Sequence, residues 1–439
     1  MIDDLTIELC DTPRRSPPQL LGRDLDDWRL KTRRELGLST DKPILATGHQ
    51  TLLWHPGILA KYLLVQAMSD ATEVAVANLV VDQHAGGFGE FDLPLRRRDG
   101  SLSVRTLHLT RARPDVPMAL HDAFTPAPAP AGLPLALPLV QQGLERIYDA
   151  VDAHSDAPNA ALQMAAALTD LMKPWVTPMT YVTASELAEG SLARAMLAHM
   201  ADDPWRCAEA YNAAVAHIVG VEGHGIGLRP LLVRDDYVEL PLWRIREDGR
   251  RMRAYDADIG RRLMPRALFL TALVRLGMCD CFVHGTGGAR YDRAMEDWIR
   301  RWLGVRVAPA AVATATVRLD LQPEVPVDAD EARHAARRAW HNPGSEKQAL
   351  LDAVNAEPRR SVARRSAFFR MHRELERLRE KHRDAVQSAQ ERAAQATRQA
   401  ADASIANRRT WPFPLYPPSE IDELAEMVRA QVVSAVDRE

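Results

Sequence analysis

The stretch Pro43-Ile44-Leu45-Ala46-Thr47-Gly48-His49-Gln50 determines the fold class of this chain of 439 residues. A short apolar run leads into a glycine and a histidine, and Pro56-Gly57 then precedes a helical segment that starts near Ile58. Residues 74–81 form a second apolar run after that helix. Near-continuous apolar strands that alternate with helices are typical of parallel sheets buried on both faces. The sequence therefore predicts an α/β fold with a doubly wound, mostly parallel sheet.

The composition indicates a globular protein without a strong overall charge. Hydrophobic residues make up 46% of the chain, and 56 Lys and Arg against 59 Asp and Glu give a net charge of -3. This balance provides no general attraction to nucleic acid or to an anionic membrane, so we expect neither partner. No apolar run approaches the roughly 18 residues of a membrane span. The cysteines are scattered and no secretory signal pattern is present, which favours a reduced cytoplasmic setting.

The chain divides into three predicted regions. Residues 1–42 are polar and irregular, which indicates a packed N-terminal arm. Residues 43–320 carry the core, with inserted helices and a hairpin at about 228–255, where apolar and charged residues alternate. Residues 321–439 form a helical region, and its tail at 411–418 is too aromatic for a simple linker, so we expect it to dock on the core.

Residues 361–407 predict one long coiled-coil helix, because apolar residues recur at steps of three and four without glycine or proline. Its second half is rich in alanine, which lets a partner helix approach closely. We expect homodimerisation through this seam, and a partner helix from the same chain is the alternative. Ten Lys or Arg against three Glu make residues 359–383 basic. No aromatic stacking platform accompanies this charge, so a solvated face is favoured over a nucleic-acid surface.

Three loops place polar residues where buried strands are expected to end. They are Gly48, His49 and Gln50 with His55, then Asp82, Gln83 and His84 before the glycines of 86–89, and finally His284, Gly285, Gly287 and Gly288 with Arg290 and Tyr291. In open α/β sheets, ligands bind beyond the carboxyl ends of strands at the topological switch point. We therefore expect the three loops to converge on one pocket. Glycines and free helix N-terminal amides would favour an anion in it.

Each loop also has a structural or a metal-directed interpretation. A lone loop histidine such as His49 is often structural, and the glycines of 285–288 could serve only as a tight turn. Asp82 and His84 are residue types that bind divalent ions, but no HExxH or paired CxxC motif supports a metal site. The metal identity is unknown at this stage.

The motifs resemble those of the bacillithiol biosynthesis cysteine-adding enzymes, a family of BshC-type ligases. Gly48-His49-Gln50 through His55-Pro56-Gly57, with Lys61 on the following helix, is similar to the family's strand, Gly-Gln-Gln loop and Gly-Pro helix start. Asp82-Gln83-His84 resembles its acidic-and-histidine loop, and residues 285–291 resemble its third, glycine-containing loop. The family also carries a C-terminal coiled coil, similar to 361–407. His49, Gln83 and Ala289 depart from the family's residues.

The resemblance implies a Rossmann-like nucleotide-binding core and a ligase that joins an amino acid, such as cysteine, to a small-molecule acceptor. ATP or ADP and Mg²⁺ are the implied cofactors, with Asp82 as the nearest candidate for the ion. His49 and the loop amides would hold phosphates, His55 or Lys61 would offset developing charge, and His84 would relay a proton. The predicted catalytic residues are His49, His84 and Asp82. The predicted substrate- or nucleotide-binding residues are Gly48, Gln50, His55, Lys61, His284, Gly285, Gly287, Gly288, Arg290 and Tyr291.

Two other classes of function remain open from the sequence. One is a metal-dependent hydrolase that uses Asp82, His84, His49 and His284 as ligands and a bound water as the nucleophile. The other is a noncatalytic assembly protein in which the coiled coil provides the function. Stoichiometric bound metal would favour the hydrolase, and a cellular role that survives joint mutation of His49 and His84 would favour the assembly protein.

Overall fold

A computed structural model describes residues 2–10, 19–222, 227–323, 328–343 and 346–436. The strands are β1 (Ile2–Cys10), β2 (Gln19–Leu20), β3 (Arg23–Asp24), β4 (Ile44–His49), β5 (Ala75–Val80), β6 (Glu90–Arg96), β7 (Leu102–His108), β8 (Thr180–Thr183), β9 (Glu239–Ile245), β10 (Arg251–Tyr255), β11 (Leu263–Pro265), β12 (Cys281–His284) and β13 (Ala310–Val317). The helices are α1 (Leu25–Glu35), α2 (Pro56–Ala71), α3 (Pro138–Asp152), α4 (Ala160–Met172), α5 (Ala184–Glu189), α6 (Ser191–Asp202), α7 (Pro204–Glu222), α8 (Ala267–Leu273), α9 (Thr286–Leu303), α10 (Ala329–His341), α11 (Lys347–Asn355), α12 (Val362–Lys381), α13 (Arg383–Ala406) and α14 (Pro418–Val436).

The central sheet has six strands in the order β1-β13-β12-β4-β5-β8. The five strands from β13 to β8 run parallel to one another, and β1 pairs antiparallel with β13 at the edge. The predicted mixed α/β fold with a mostly parallel sheet is therefore confirmed.

Both faces of this sheet are buried, as the apolar run at β4 predicts. Leu45 packs into one hydrophobic core, whereas its neighbours Ile44 and Ala46 pack into another, because side chains alternate along a strand. The first core contains residues of α2, α3, α4 and α14, and the second contains residues of α1, α6, α8 and α9. This two-sided cover explains why the strand is apolar at successive positions.

The N-terminal region differs from the predicted irregular arm. Strand β1 is part of the central sheet, with Leu5 opposite Ala315 and Ile7 opposite Ala313. The strand contains acidic residues because it lies at an edge of the sheet, and acidic positions such as Asp4 and Glu8 are exposed. Edge strands lack the continuous apolar run that identifies a central strand, and the sequence analysis missed β1 for that reason.

Two smaller sheets follow the core strands along the chain. The predicted hairpin at about 228–255 contains β9 and β10, which pair antiparallel, and β11 adds to β9 on its other side. Residues 227–238 are largely without strand structure, and 223–226 lie outside the described residues. A second hairpin, β6 with β7, was not predicted; its strands pair from Glu90 opposite His108 to Arg96 opposite Leu102.

The predicted long helix at 361–407 is interrupted once, at His382, which separates α12 from α13 with φ -108° and ψ 25°. Its apolar seam is covered within the described chain: α10 packs along α13 and α11 packs on α12. Met371 and Leu375 of α12 form a small core with Val354 of α11. These contacts provide the partner helices from the same chain that were the alternative to a second copy, and homodimerisation stays a prediction.

The aromatic segment after α13 is buried in the first core. Trp411, Phe413 and Tyr416 are each at most 1% exposed, and the Phe413 backbone N–H donates to the carbonyl of Trp54 at 2.6 Å. The unpredicted helix α14 continues from this segment and packs on α2. No helix in the described ranges is both long and apolar enough to cross a membrane.

Candidate functional site

The carboxyl ends of β4 and β12 lie at the point where the strand order reverses. From β4 the chain adds β5 and then β8 on one side, and it later adds β12 and β13 on the other. Loops that leave neighbouring strands toward opposite sides open a crevice, and ligands bind there in α/β proteins. A cavity of about 660 Å³ occupies this position, and residues of β9 and β10 contribute to its wall.

Most of the predicted site residues line this cavity, so the three loops do converge. The lining residues that the sequence predicted are Gly48, His49, Gln50, His55, Lys61, His84, His284, Gly285, Gly287, Gly288 and Tyr291. Asp82 and Arg290 are not in the cavity wall. Asp82 is 3% exposed and accepts the backbone N–H of Ser185 at 3.1 Å, whereas Arg290 is exposed on α9.

Steric packing, rather than contact with an anion, explains two of the glycines in the site. Gly48 lies in β4, not in a loop, and a Cβ atom there would lie 2.5 Å from the carbonyl oxygen of Leu79. A Cβ at Gly288 would lie 2.5 Å from Nδ1 of His284. Close packing therefore requires both glycines, and the interpretation of Gly48 as a loop glycine is corrected. Gly287 has only the Tyr291 hydroxyl nearby, at 3.8 Å.

The N-terminus of α9 faces the cavity without a side-chain cap. Gly285 is its N-cap residue and Thr286, Gly287 and Gly288 form its first turn. All four residues line the cavity. The first amides of a helix have no intrahelical partner and lie at the positive end of the helix dipole, so this turn favours a negative charge.

Lys61 provides a buried cation on the floor of the cavity. The residue is 2% exposed, and its Nζ donates to the carbonyl oxygen of Gly48 at 2.7 Å. Among the residues that the structure describes, no carboxylate forms an ion pair with this ammonium group. Burial without a countercharge disfavours the charged form and lowers the pKa of Lys61 to about 7. An anionic ligand would restore the missing countercharge.

The pKa values of His49 and His55 are both lowered in the cavity. Burial lowers the pKa of His49 well below its usual value, and the charge of Lys61 lowers it further. Burial, Arg409 and Lys61 together lower the pKa of His55 to about 4. Neither ring is therefore a cation that offsets the charge of a phosphate. His55 instead caps α2, where its Nδ1 accepts the backbone N–H of Gly57 at 3.1 Å.

The hydrogen bond of His49 defines which ring nitrogen is available to a substrate. Its Nδ1 lies 3.2 Å from the carbonyl oxygen of Gln50. A carbonyl oxygen can only accept, so Nδ1 carries the proton and Nε2 of the neutral ring has a free lone pair. His49 thus has one ring nitrogen that can accept a hydrogen bond. His84 also has a lowered pKa, because of burial and the charge of Arg251.

His284 is supported from behind by a buried charged cluster. Its Nε2 lies 2.5 Å from a carboxylate oxygen of Asp292 without hydrogen-bond geometry, and the same oxygen accepts from Arg275 at 2.6 Å. Arg275 is fully buried and binds Glu296 and the carbonyl of Ala308 as well. These contacts connect α9, the segment just before β13 and the helical turn that contains Arg275. Asp292 therefore has a structural role in the cavity wall.

Four cavity arginines and one tryptophan were missed by the sequence analysis. They are Arg229, Arg251, Arg266, Arg409 and Trp243. With Lys61 they give the cavity five cationic residues against one carboxylate, Asp292, which Arg275 already pairs. Trp243 and Arg251 lie in β9 and β10, Arg229 and Arg266 flank the β9–β11 sheet in sequence, and Arg409 follows α13. No local motif connects these residues to the three loops.

The described residues contain no group of three or more His, Cys, Asp or Glu side chains that could hold a metal ion. The four-ligand set of the hydrolase prediction is therefore not assembled, and Asp82 lies outside the cavity wall. Burial raises the pKa of Asp82 to about 6, and the hydrogen bonds from Ser185 oppose this rise.

The comparisons with known proteins do not identify a relative. No protein-family model matches this chain, and no curated protein matches it. The cavity and the sequence of its loops are therefore the basis for proposing a function.

Proposed function

We propose that this protein is a BshC-like ligase with a Rossmann-like core, and that it binds a nucleotide, ATP or ADP, in the cavity between β4 and β12. The nucleotide activates a carboxylate, which the amine of a second substrate then attacks. One substrate is an amino acid, for which cysteine is the first candidate. The resemblance of the three loops to those of the family supports the reaction, and the cavity supports the anionic ligand.

The observation that carries the proposal is the position of Lys61. An ammonium group that is buried without a countercharge destabilises the folded protein, so its presence calls for a functional reason. Lys61 lies beneath the open first turn of α9, with its Cδ 3.9 Å from the Cβ position of Gly285. A phosphate at this point would receive both the charge of Lys61 and the free amides of α9.

Two cavity histidines, His49 and His84, are the candidates for the proton transfer that ligation requires. An amine must lose a proton before or during its attack on the activated carboxylate, and a neutral imidazole near the reacting atoms accepts it. His49 offers Nε2 for this purpose, and His84 lines the same cavity. Arg409, which also lines the cavity, adds positive charge near the transferred group.

The described residues do not fit a metal ion that the protein alone would hold, because no suitable ligand group exists among them. The proposal therefore contains no step that depends on a protein-bound metal. Mg²⁺ retains much of its water shell and binds nucleotide phosphates directly. Titrations with and without Mg²⁺ measure the contribution of this ion.

The test is a calorimetric titration of the purified protein with ATP and with ADP, with and without Mg²⁺. We expect saturable binding at one site per chain. In Lys61→Met we expect the affinity to fall roughly 10- to 100-fold, because one charge-assisted hydrogen bond to a phosphate is lost. Lys42→Met, which alters an exposed lysine just before β4, is the matched control and should bind like the wild type.

Two results would contradict the proposal. If the folded wild-type protein bound neither ATP nor ADP, nucleotide binding would be excluded. Equal affinity in Lys61→Met would show that the nucleotide binds elsewhere. Circular dichroism of each variant confirms that loss of binding is not loss of fold. Once binding is established, amino acids and amino-sugar acceptors can be screened for nucleotide-dependent ligation.

A further inference from the structure

Arg251 is a second cation of the cavity, and like Lys61 it contacts the backbone carbonyl of a residue that precedes a histidine. Lys61 donates to the carbonyl of Gly48, the residue before His49, at 2.7 Å. Nη1 of Arg251 lies 3.4 Å from the carbonyl of Gln83, the residue before His84. Lys61 thus lies beside His49 and Arg251 beside His84, two of the histidines that line the cavity.

Arg251 retains most of its hydrogen-bonding capacity. Its guanidinium carries five N–H donors, and the long contact with Gln83 uses one of them weakly. No carboxylate forms an ion pair with it in the described part of the chain, although the charge of Asp115 acts on it from nearby. The neighbouring cavity arginine, Arg266, is different, because Glu239 binds it at 2.7 Å.

The guanidinium of Arg251 is held in place by an aromatic ring. It lies over Trp243, 4.8 Å from the ring centroid, and Arg266 also lies against this ring, at 4.3 Å. A stacked guanidinium loses less freedom when it binds a planar anion, and its fork of donors matches a carboxylate or a phosphate. Arg251 is therefore a preorganised cation without an ion-paired carboxylate among the described residues.

Gln83, whose carbonyl contacts Arg251, has a buried side-chain acceptor without a hydrogen-bond donor in the described part of the chain. Its side chain is 5% exposed, and Oε1 has no hydrogen-bond partner among the described residues. A buried acceptor without a donor is costly unless a ligand or water supplies one. Gln83 lines the cavity next to His84, so a ligand with an N–H or O–H group would satisfy it.

We propose that the cavity binds two anionic groups at once, one at Lys61 and the first turn of α9, the other at Arg251, on either side of His49 and His84. This inference rests on the proposed function and extends it to the second substrate. The group at Lys61 is the phosphate of the nucleotide. The group at Arg251 is an anionic group, with a carboxylate as the best match, on a molecule that also offers an N–H or O–H donor to Gln83.

Equilibrium dialysis with radiolabelled inorganic phosphate tests the two positions without knowledge of the substrates. We expect the full-length wild-type protein to bind two phosphates per chain. Lys61→Met and Arg251→Met should each retain one, and the double variant should retain none. Arg246→Met alters a half-exposed arginine of the same hairpin outside the cavity wall, and it should bind two like the wild type.

The outcomes separate this inference from the proposed function. One phosphate per chain that depends on Lys61 and is unaffected by Arg251→Met would overturn the second position and leave the nucleotide proposal intact. Two phosphates with this dependence on both residues, together with no binding of ATP or ADP, would support the two anion positions and contradict the nucleotide-dependent ligase. Phosphate binding that persists in the folded double variant would overturn the inference.

Discussion

At the scale of single residues, the site depends on a lysine whose charge the fold does not compensate. The pKa of Lys61 falls from 10.5 to about 7 because its ammonium is buried. Between these values the unfolded chain holds the proton and the folded chain has lost it, so folding stability rises with pH in this window. Below about pH 7 the folded protein carries the full cost of the buried charge.

Lys61→Met removes this cost and should change how stability depends on pH. We expect the variant to gain on the order of 4 kcal/mol relative to the wild type near pH 6, and this advantage should shrink steadily as the pH approaches 10. Urea denaturation of both proteins at pH 6, 8 and 9.5 measures the difference. Parallel stability curves would mean that Lys61 is not a buried cation in the folded protein.

At the scale of secondary-structure elements, the site depends on the close approach of β4 and β5. Gly48 pairs with Leu79, and no Cβ fits between them without movement of the backbone. A side chain at this position would separate the two strands and move His49, the next residue. The glycine that the sequence marked as functional therefore acts through packing.

Gly48→Ala should destabilise the protein by about 1–3 kcal/mol, the usual cost of overpacking a well-packed site. Gly220→Ala is the control, since Gly220 lies exposed in α7 with no atom within 4 Å of its Cβ position. That change should be neutral or stabilise by up to about 1 kcal/mol, because alanine favours helix. Thermal denaturation gives both values, and equal effects of the two substitutions would refute the packing explanation.

At the scale of the whole molecule, the central strands and the site loops could be predicted, whereas the surroundings of the site could not. The runs at β4 and β5 are apolar because both sheet faces are covered, so their pattern is visible locally. The edge strand β1 and the cavity residue Arg251 have no such pattern. Arg251 lines the cavity only because the β9–β11 sheet packs over the cavity. The position of that sheet depends on contacts between residues far apart in the sequence.

The coiled-coil pattern shows a similar limit. The spacing of apolar residues in 361–407 correctly predicts helices with an apolar seam. It contains no information about which helix covers that seam. In the structure α10 and α11 do so, and the prediction of a helical region at 321–439 did not resolve them as separate helices, because their short segments lack a comparably long periodic pattern.

The central claim, that an anion binds against Lys61, is tested most directly by proton uptake. Free Lys61 is largely neutral at pH 8, since its pKa is about 7. A bound anion favours the charged form and raises this pKa, so binding must draw a proton from solution. ATP titrations at pH 8 in buffers of different ionisation enthalpy should show close to one proton taken up per ATP by the wild type and none by Lys61→Met. Binding by the wild type without proton uptake, or uptake that Lys61→Met retains, would contradict the account.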